Sequence, residues 1–480
     1  MRSTADILIK GGTVLTMDPT RKMINDGALA ISGNKIEAVG TSADITTRFE
    51  ASKVIDARGK LVMPGLVNPH THVLQVLLRG LAHDRELYPF LFNVLFPGLS
   101  QYTPDDARLA ATLYCAEAIR SGITTIVDNG DQGRDDALAV ATIDTYRQVG
   151  IRAVYARMFN DTVPDHLAKH IETIMHKESG VNHPADVIED TEEALSQIES
   201  LIQRFHMADN GRIRVWASPF TAQFTTEKGL IRSAELAEKY NSMTAIHLAE
   251  SHLDASMYGM TPTEYLHSIG FLSPRILAAH CVWLTEKDIR LFQIHDVKAA
   301  HNVICNHYIA SGVAPVAKMT ALGITVGLGT DDANVNDSVN MFQSMKIAAL
   351  AQRAKYLDAS VLTTEKVVEM ATIDGARSIG MESEIGSLEP GKKADVILID
   401  LNHPQFWPLN NIPSALVFQA YGSEVETTIV DGRILMEDRK LNFLGTDETF
   451  LYQQAQKASI DIATKARLTD LTRGWRRLGS

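Results

Sequence analysis

Six residues, each ending or closely following an apolar run, could together do chemistry. Val62-Met63-Pro64-Gly65-Leu66-Val67-Asn68-Pro69-His70-Thr71-His72 finishes in His-x-His. Residues two apart on a strand point to the same face, so His70 and His72 can bring both imidazoles to one point. Met243-Thr244-Ala245-Ile246-His247 is followed by Leu248-Ala249-Glu250, Ile276-Leu277-Ala278-Ala279 runs into His280, and Ile324-Thr325-Val326-Gly327-Leu328-Gly329-Thr330 runs into Asp331. Three neutral imidazoles (His70, His72, His247) and one carboxylate (Asp331) make a donor set for one divalent cation and leave a position open for water. Such an ion lowers the pKa of its water toward neutrality. His280 and Asp331 are placed to orient that water and take its proton. Glu250, three residues beyond a ligand, is placed to face the substrate. A carboxyl there can protonate a ring nitrogen while the adjacent carbon is attacked, then pass a proton to the leaving group. Zinc and ferrous iron both suit the set.

These residues need a scaffold that gathers strand ends. Between 64 and 385, strand-like runs alternate with helix-like stretches such as Asp105–Ser121 and Thr225–Tyr240. The candidate strands begin with Gly65–Asn68. The others are Ile123–Val127, Arg152–Ala156, Ile213–Ala217, Met243–His247, Ile276–His280, Val297–Ala300 and Ile324–Gly329. Strand–helix alternation argues for a parallel sheet, and eight units over roughly 300 residues fit a closed (β/α)₈ TIM barrel, whose chemistry sits at the C-terminal ends of its strands. An open doubly wound sheet is the alternative, weakened because no Gly-x-Gly-x-x-Gly follows an early strand. Strand four runs out through Ala217-Ser218-Pro219-Phe220, with no lysine or acid to bridge two ions, which favours a single one.

Residues 6–60 and 386–446 share a different grammar of short strands and turns. Asp6–Leu15 reads as strand, glycine turn, strand. Ala28–Gly40 carries a Gly33-Asn34 hairpin signal, and Val425–Leu435 reads as a second hairpin. Neither end has enough strands to stand alone, so both are expected to build one small β-sandwich domain. The expected division is 1–63 and 386–446 for that domain, 64–385 for the barrel, and 447–480 for a charged C-terminal helical segment packed on a neighbour or another subunit.

A net charge of −12 opposes a nucleic-acid or anionic-membrane partner, since both demand a basic face. No apolar run approaches the ~18 residues that span a bilayer, and the N-terminus lacks the apolar core of a signal peptide. Cys115, Cys281 and Cys305 are scattered, with no Cys-x-x-Cys pair. They suit a reduced cytoplasm, the expected location.

In order and spacing, Pro64-Gly65…His70-Thr71-His72, His247-Leu248-Ala249-Glu250, His280-Cys281-Val282 and Gly329-Thr330-Asp331 resemble the amidohydrolase superfamily and its mononuclear aminohydrolase branch. Leu91–Val94, Leu113–Ala118, Val154–Phe159, Asn336–Met341 and Glu369–Ser378 are similar to the s-triazine group of that branch, the atrazine chlorohydrolases and melamine deaminases. The resemblance covers nearly the whole chain. It implies His70, His72, His247 and Asp331 as ligands of one Zn²⁺ or Fe²⁺, His280 beside the water, and Glu250 as proton shuttle. It also implies Gln75 as a ring contact and assembly as a homo-oligomer.

Asp332, directly after the metal aspartate, matches the deaminase, where the chlorohydrolase has Asn. An acid near the leaving group favours an amine, because chloride needs no proton. Val335, the lid Leu87-Tyr88-Pro89-Phe90 and the loop Ala217–Thr225 depart from that group and shape the substrate pocket, Phe90 and Val335 included. The expected activity is hydrolytic removal of an amino group from a small nitrogen heterocycle, foremost an s-triazine. Dechlorination of a chloro-s-triazine and deamination of a purine or pterin are the alternatives. A metal-free binding protein on an enzyme scaffold would need a broken site, and all six residues are present.

Overall fold

The computed structural model describes residues 2–130, 136–175, 184–254, 257–445 and 447–472. Eight parallel strands, Leu66–Thr71, Ile123–Gly130, Arg152–Phe159, Ile213–Pro219, Thr244–Leu248, Ile276–His280, Lys298–His301 and Val326–Leu328, pair in chain order. The last strand returns to the first: the Asp331 N–H donates to His70 O at 3.0 Å, and the Thr330 N–H donates to Asn68 Oδ1 at 3.0 Å. The barrel is therefore nearly closed, with its seam at the candidate ligands. Its interior is packed by Val67, Val127, Val154, Trp216, Leu277 and Ala300, so it is a filled core and not a pore.

Two glycines permit this geometry. A Cβ on Gly65, where the chain enters the barrel, would lie 2.2 Å from Thr124. One on Gly329 would lie 2.3 Å from Asn302 Oδ1. Both positions need a residue with no side chain.

Strands from both ends of the chain form one separate sheet. Its path runs Lys440–Leu441, Arg433–Glu437, Val425–Val430, Val396–Asp400, Lys60–Pro64, Ser3–Leu15, Met23–Ser32, Lys35–Thr41, with Phe49–Asp56 parallel to Ser3–Leu15. Lys60–Pro64 pairs antiparallel with Val396–Asp400, where the two ends meet. The architecture is a (β/α)₈ barrel with a β-sandwich domain built from the termini. One local expectation is corrected. Ser3–Leu15 is a single strand, not two around a turn, because the left-handed Gly11 (φ 89°) is absorbed as a register shift against Met23–Ser32. The helix Glu448–Lys465 follows the sheet, and residues 473–480 of the expected C-terminal segment lie outside the described residues.

Barrel and sheet are joined by a buried ion pair. Arg152, at the start of the third barrel strand and 1% exposed, donates through Nε and Nη2 to Asp395 at 2.7 and 2.9 Å, and through Nη2 to Asp431 at 3.1 Å. Both acids lie beside strands of the sheet.

Candidate active site

The six residues picked from the sequence meet at the C-terminal mouth of the barrel. His70 Nε2 lies 3.3 Å and His72 Nε2 3.7 Å from Asp331 Oδ1, His280 Nε2 lies 3.6 Å from Asp331 Oδ2, and His72 Nε2 is 3.2 Å from His247 Nε2. Donor atoms of His70, His72 and Asp331 fall within 4.8 Å of one another, as do those of His70, His247 and His280.

Backbone shape aims them. Ala249 (φ 51°), His280 (71°), Cys281 (54°) and Asp331 (60°) are all left-handed without being glycine, and each costs of order 1 kcal/mol or more. The turns end the strands abruptly and hold the side chains over the barrel axis.

Hydrogen bonds behind the rings fix their tautomers. The His72 Nδ1–H donates to Asn129 O at 2.8 Å and the His247 Nδ1–H to Phe220 O at 3.0 Å, so each presents a bare Nε2 to the centre. The Asn129 side-chain amide sits 2.8 Å from His70 Nδ1, and its other end meets the Ser218 hydroxyl at 3.2 Å. A hydroxyl can donate or accept, so the amide can offer its oxygen to His70 and free that Nε2 as well.

Burial lowers the ring pKa values. Desolvation, then the neighbouring His70, brings His72 to about 3. His247 is driven well below its ordinary value by burial and the other imidazoles, and burial brings His280 to about 4. These three rings are neutral at pH 7. Burial acts to raise Asp331, but the His280 and His70 rings outweigh it and hold the carboxylate well below the usual range.

Within this crowd His70 Nε2 and Asp331 Oδ2 are buried and have no hydrogen-bond partner. Orphaned acceptors converging with neutral imidazoles are costly without a cation. The donor set of His70, His72, His247 and Asp331 fits a divalent ion.

A cavity of about 560 Å³ opens above this cluster. Gln75, Phe90, Asp332, Val335, Glu250 and His280 all line it. Its wall includes Leu91, Leu95, Phe96 and Leu99 from the helical segment that starts at Leu87. Asp332 donates its N–H to Asp331 Oδ1 at 3.0 Å and is among the residues that line the cavity. Glu250 lies 3.5 Å from His280 Nδ1. Burial first, then Asp331 and Asp254, pushes its carboxyl well above the ordinary 4.5.

Residues 61–435 match the profile of the amidohydrolase family. The chain belongs to that family. It is 38% identical over 481 residues to an S-triazine hydrolase of Gordonia rubripertincta, with 99% of each chain covered. It is 35% identical over 465 residues to a 5'-deoxyadenosine deaminase of Methanosarcina mazei, covering 96% of this chain and 99% of that one. An adenosine deaminase from Xanthomonas campestris with bound zinc superposes with a TM-score of 0.87 at 26% identity, over 97% of this chain and 100% of the other. Atrazine chlorohydrolase TrzN from Arthrobacter aurescens TC1 complexed with zinc gives 0.84 at 26% identity, over 94% and 100%. This amidohydrolase is an enzyme whose named relatives are hydrolases and deaminases. None of its described helices is long and apolar enough to cross a membrane.

Several site residues carried no mark the sequence reading used. Asn129 lies past Val127, where the second strand was expected to stop; the strand continues to Gly130. Asn306 Oδ1 accepts from His280 Nδ1 at 2.9 Å, and Asn302 Nδ2 lies 3.5 Å from His280 Nε2. Asn129 and Asn302 each sit one residue past the polar residue, Asp128 or His301, that ends its apolar run, so the rule that singles out His70 and His247 stops one position short of them. Asp254 accepts from the Tyr88 hydroxyl at 2.6 Å, tying the lid segment to the loop that carries Glu250. Its partner is too distant in sequence to leave a local signal.

Proposed function

We propose that this amidohydrolase removes an amino group from a nitrogen heteroaromatic ring by hydrolysis, with an amino-s-triazine as the preferred class. Glu250 carries the reading. The carboxyl is buried, which raises its pKa above the ordinary value, and it lines the cavity 3.5 Å from His280 Nδ1, so it is placed to carry a proton to a ring nitrogen. His70, His72, His247 and Asp331 would hold one divalent ion, zinc or ferrous iron, which supplies the nucleophile by making its water acidic.

The remaining work belongs to the chain. Asp331 and His280 orient the attacking oxygen and receive its proton. Glu250 gives a proton to the ring nitrogen as the adjacent carbon becomes tetrahedral. Gln75 and Phe90 position the flat ring. Glu250, left as a carboxylate, then takes the hydroxyl proton of the tetrahedral carbon as its C=O forms and passes it to the departing nitrogen. The proton held by Asp331 and His280 leaves to solvent as Glu250 takes one up, and Asp332 hydrogen-bonds the amine as it leaves. Val335 bounds the ring's far side.

The 38% identity to an S-triazine hydrolase supports the triazine class. The relatives named as 5'-deoxyadenosine deaminases, together with a cavity larger than a bare triazine needs, favour nucleoside deamination as the second reading. Dechlorination of a chloro-s-triazine is the third, supported by the likeness to atrazine chlorohydrolase. The enzyme is expected to act in the cytoplasm as a homo-oligomer, with no nucleic-acid or membrane partner.

The test is ammonia release from melamine, ammeline, guanine, pterins and 5'-deoxyadenosine, with chloride release from atrazine in parallel. The triazine reading fails if the nucleoside is turned over and the amino-triazines are not. Asp332→Asn is expected to lower ammonia release relative to chloride release. An unchanged ratio removes Asp332 from the leaving-group step.

A further inference from the structure

Beside the four ligands assigned above lies a second donor set. Cys305 Sγ, a nitrogen of His280 and a carboxylate oxygen of Glu250 fall within 4.8 Å of one another, and all three residues are buried. Cys305 sits on the short helix Val303–Tyr308 and, like His280 and Glu250, lines the cavity, so an ion can reach the set. A tetrahedral zinc with bonds of about 2.0–2.3 Å holds its ligand atoms about 3.5 Å apart. His280 Nδ1 and Glu250 Oε1 already stand at 3.5 Å. Among the described residues the Glu250 carboxylate accepts no hydrogen bond, which leaves it free to turn toward an ion.

We propose that Cys305, His280 and Glu250 make a second, inhibitory cation site that takes a soft divalent ion, zinc or cadmium, in excess of the resident one. Sulfur beside imidazole and carboxylate selects such ions over magnesium or calcium. The chemistry balances without a co-reactant. Binding forms three bonds to the ion, and the Cys305 thiol proton and the Glu250 carboxyl proton pass to solvent. His280 exchanges its Nδ1–H bond to Asn306 for the ion and carries its proton on Nε2, facing the unpartnered Asp331 Oδ2 at 3.6 Å. Cys305 is buried and lines the cavity, and coordination to a cation deprotonates a thiol. Inhibition follows from the proposed role of Glu250, since a carboxylate held on a cation moves no proton. Binding itself does not depend on that role.

The experiment uses full-length enzyme loaded with its resident ion and titrated with cadmium chloride. Ultraviolet absorbance reports the cadmium–thiolate charge-transfer band, equilibrium dialysis the total metal, and ammonia release the turnover. One added cadmium per chain is expected, with the band and the loss of turnover sharing a midpoint. Cys305→Ser is expected to abolish the band and weaken inhibition at least about tenfold, whereas Cys281→Ser keeps the band.

Three outcomes overturn the site: no band in the natural enzyme, a band that survives Cys305→Ser, or cadmium that replaces the resident ion without raising total metal. If Cys305→Ser does not fold, Cys305→Ala and the stoichiometry of the natural enzyme decide. Should no amino-heterocycle be turned over, the functional reading falls while the band and the stoichiometry still report the site.

Discussion

Glu250→Gln separates the proton-moving step from everything else at the site. The substitution keeps the size of the side chain and removes only its exchangeable proton. Glu250 is outside the donor set of His70, His72, His247 and Asp331, so the metal content is expected to stay the same. Its carboxylate accepts no hydrogen bond among the described residues, so no scaffold contact is lost with it. What disappears is general acid–base catalysis, typically about 10²–10⁴ in rate. At about 1.4 kcal/mol per factor of ten, that adds about 3–5 kcal/mol to the barrier. A loss of at least the lower end of that range is expected, because one carboxyl serves both the ring nitrogen and the leaving nitrogen. The assay is steady-state ammonia release, with metal analysis and thermal melting on the same preparation. kcat should fall at least about a hundredfold, with KM moving little. A kcat within a factor of ten of the natural enzyme, at full metal content, would refute the assignment. Loss of the ion would show instead that Glu250 holds metal.

Chelation is expected to abolish turnover and lower the melting temperature, since it re-exposes the orphaned His70 Nε2 and Asp331 Oδ2. Zinc or ferrous iron should restore both, and His247→Ala should bind neither ion tightly; retained metal and turnover in that variant would dissolve the ligand set. Asp395→Ala removes two of the three carboxylate bonds to the buried Arg152 guanidinium, leaving only Asp431, and should cost up to about 3–5 kcal/mol in denaturant unfolding. Arg152→Met with Asp395→Leu should recover much of that loss. His206, held by the Val215 backbone away from the mouth of the barrel, has its pKa lowered below 6.5, chiefly by burial. A depressed base binds fewer protons folded than unfolded, so its contribution is present above pH 6.5 and fades as the pH falls through its folded pKa. The melting-temperature gap between the natural enzyme and His206→Asn should therefore widen as pH rises from the folded pKa toward 6.5 and level off above it, and proton titration of the ring should show a midpoint below 6.5.

Much of the scaffold was legible because each barrel strand is rich in apolar residues with few polar interruptions, the pattern of a strand buried on both faces. The same property exposed the site: a histidine or aspartate closing such a run has little reason to be there unless it faces a ligand. Legibility failed where polar residues are buried inside an element. Asp128 and Asn129 look like a turn, yet Asp128 is held by the Tyr146 hydroxyl at 2.6 Å and the Val73 N–H at 3.0 Å, its pKa raised to about 6 by burial, and the strand runs on. The pair Gly11-Gly12 likewise reads as a break, and only its register against Met23–Ser32 shows a bulge. Contacts such as Tyr88 with Asp254 pair residues with no shared periodicity, so no local pattern reports them.

The sheet shared between the two ends has a consequence for how the molecule is made. During synthesis Ser3–Leu15 and its neighbours leave the ribosome before the barrel, but Val396–Asp400, which flanks Lys60–Pro64, comes only after the whole barrel. Until then the outer edge of Lys60–Pro64 is an unpaired template, open to pairing with another nascent chain. Slow elongation or a premature stop between the barrel and Val396–Asp400 would therefore be most damaging at that early edge, far from the codons at fault.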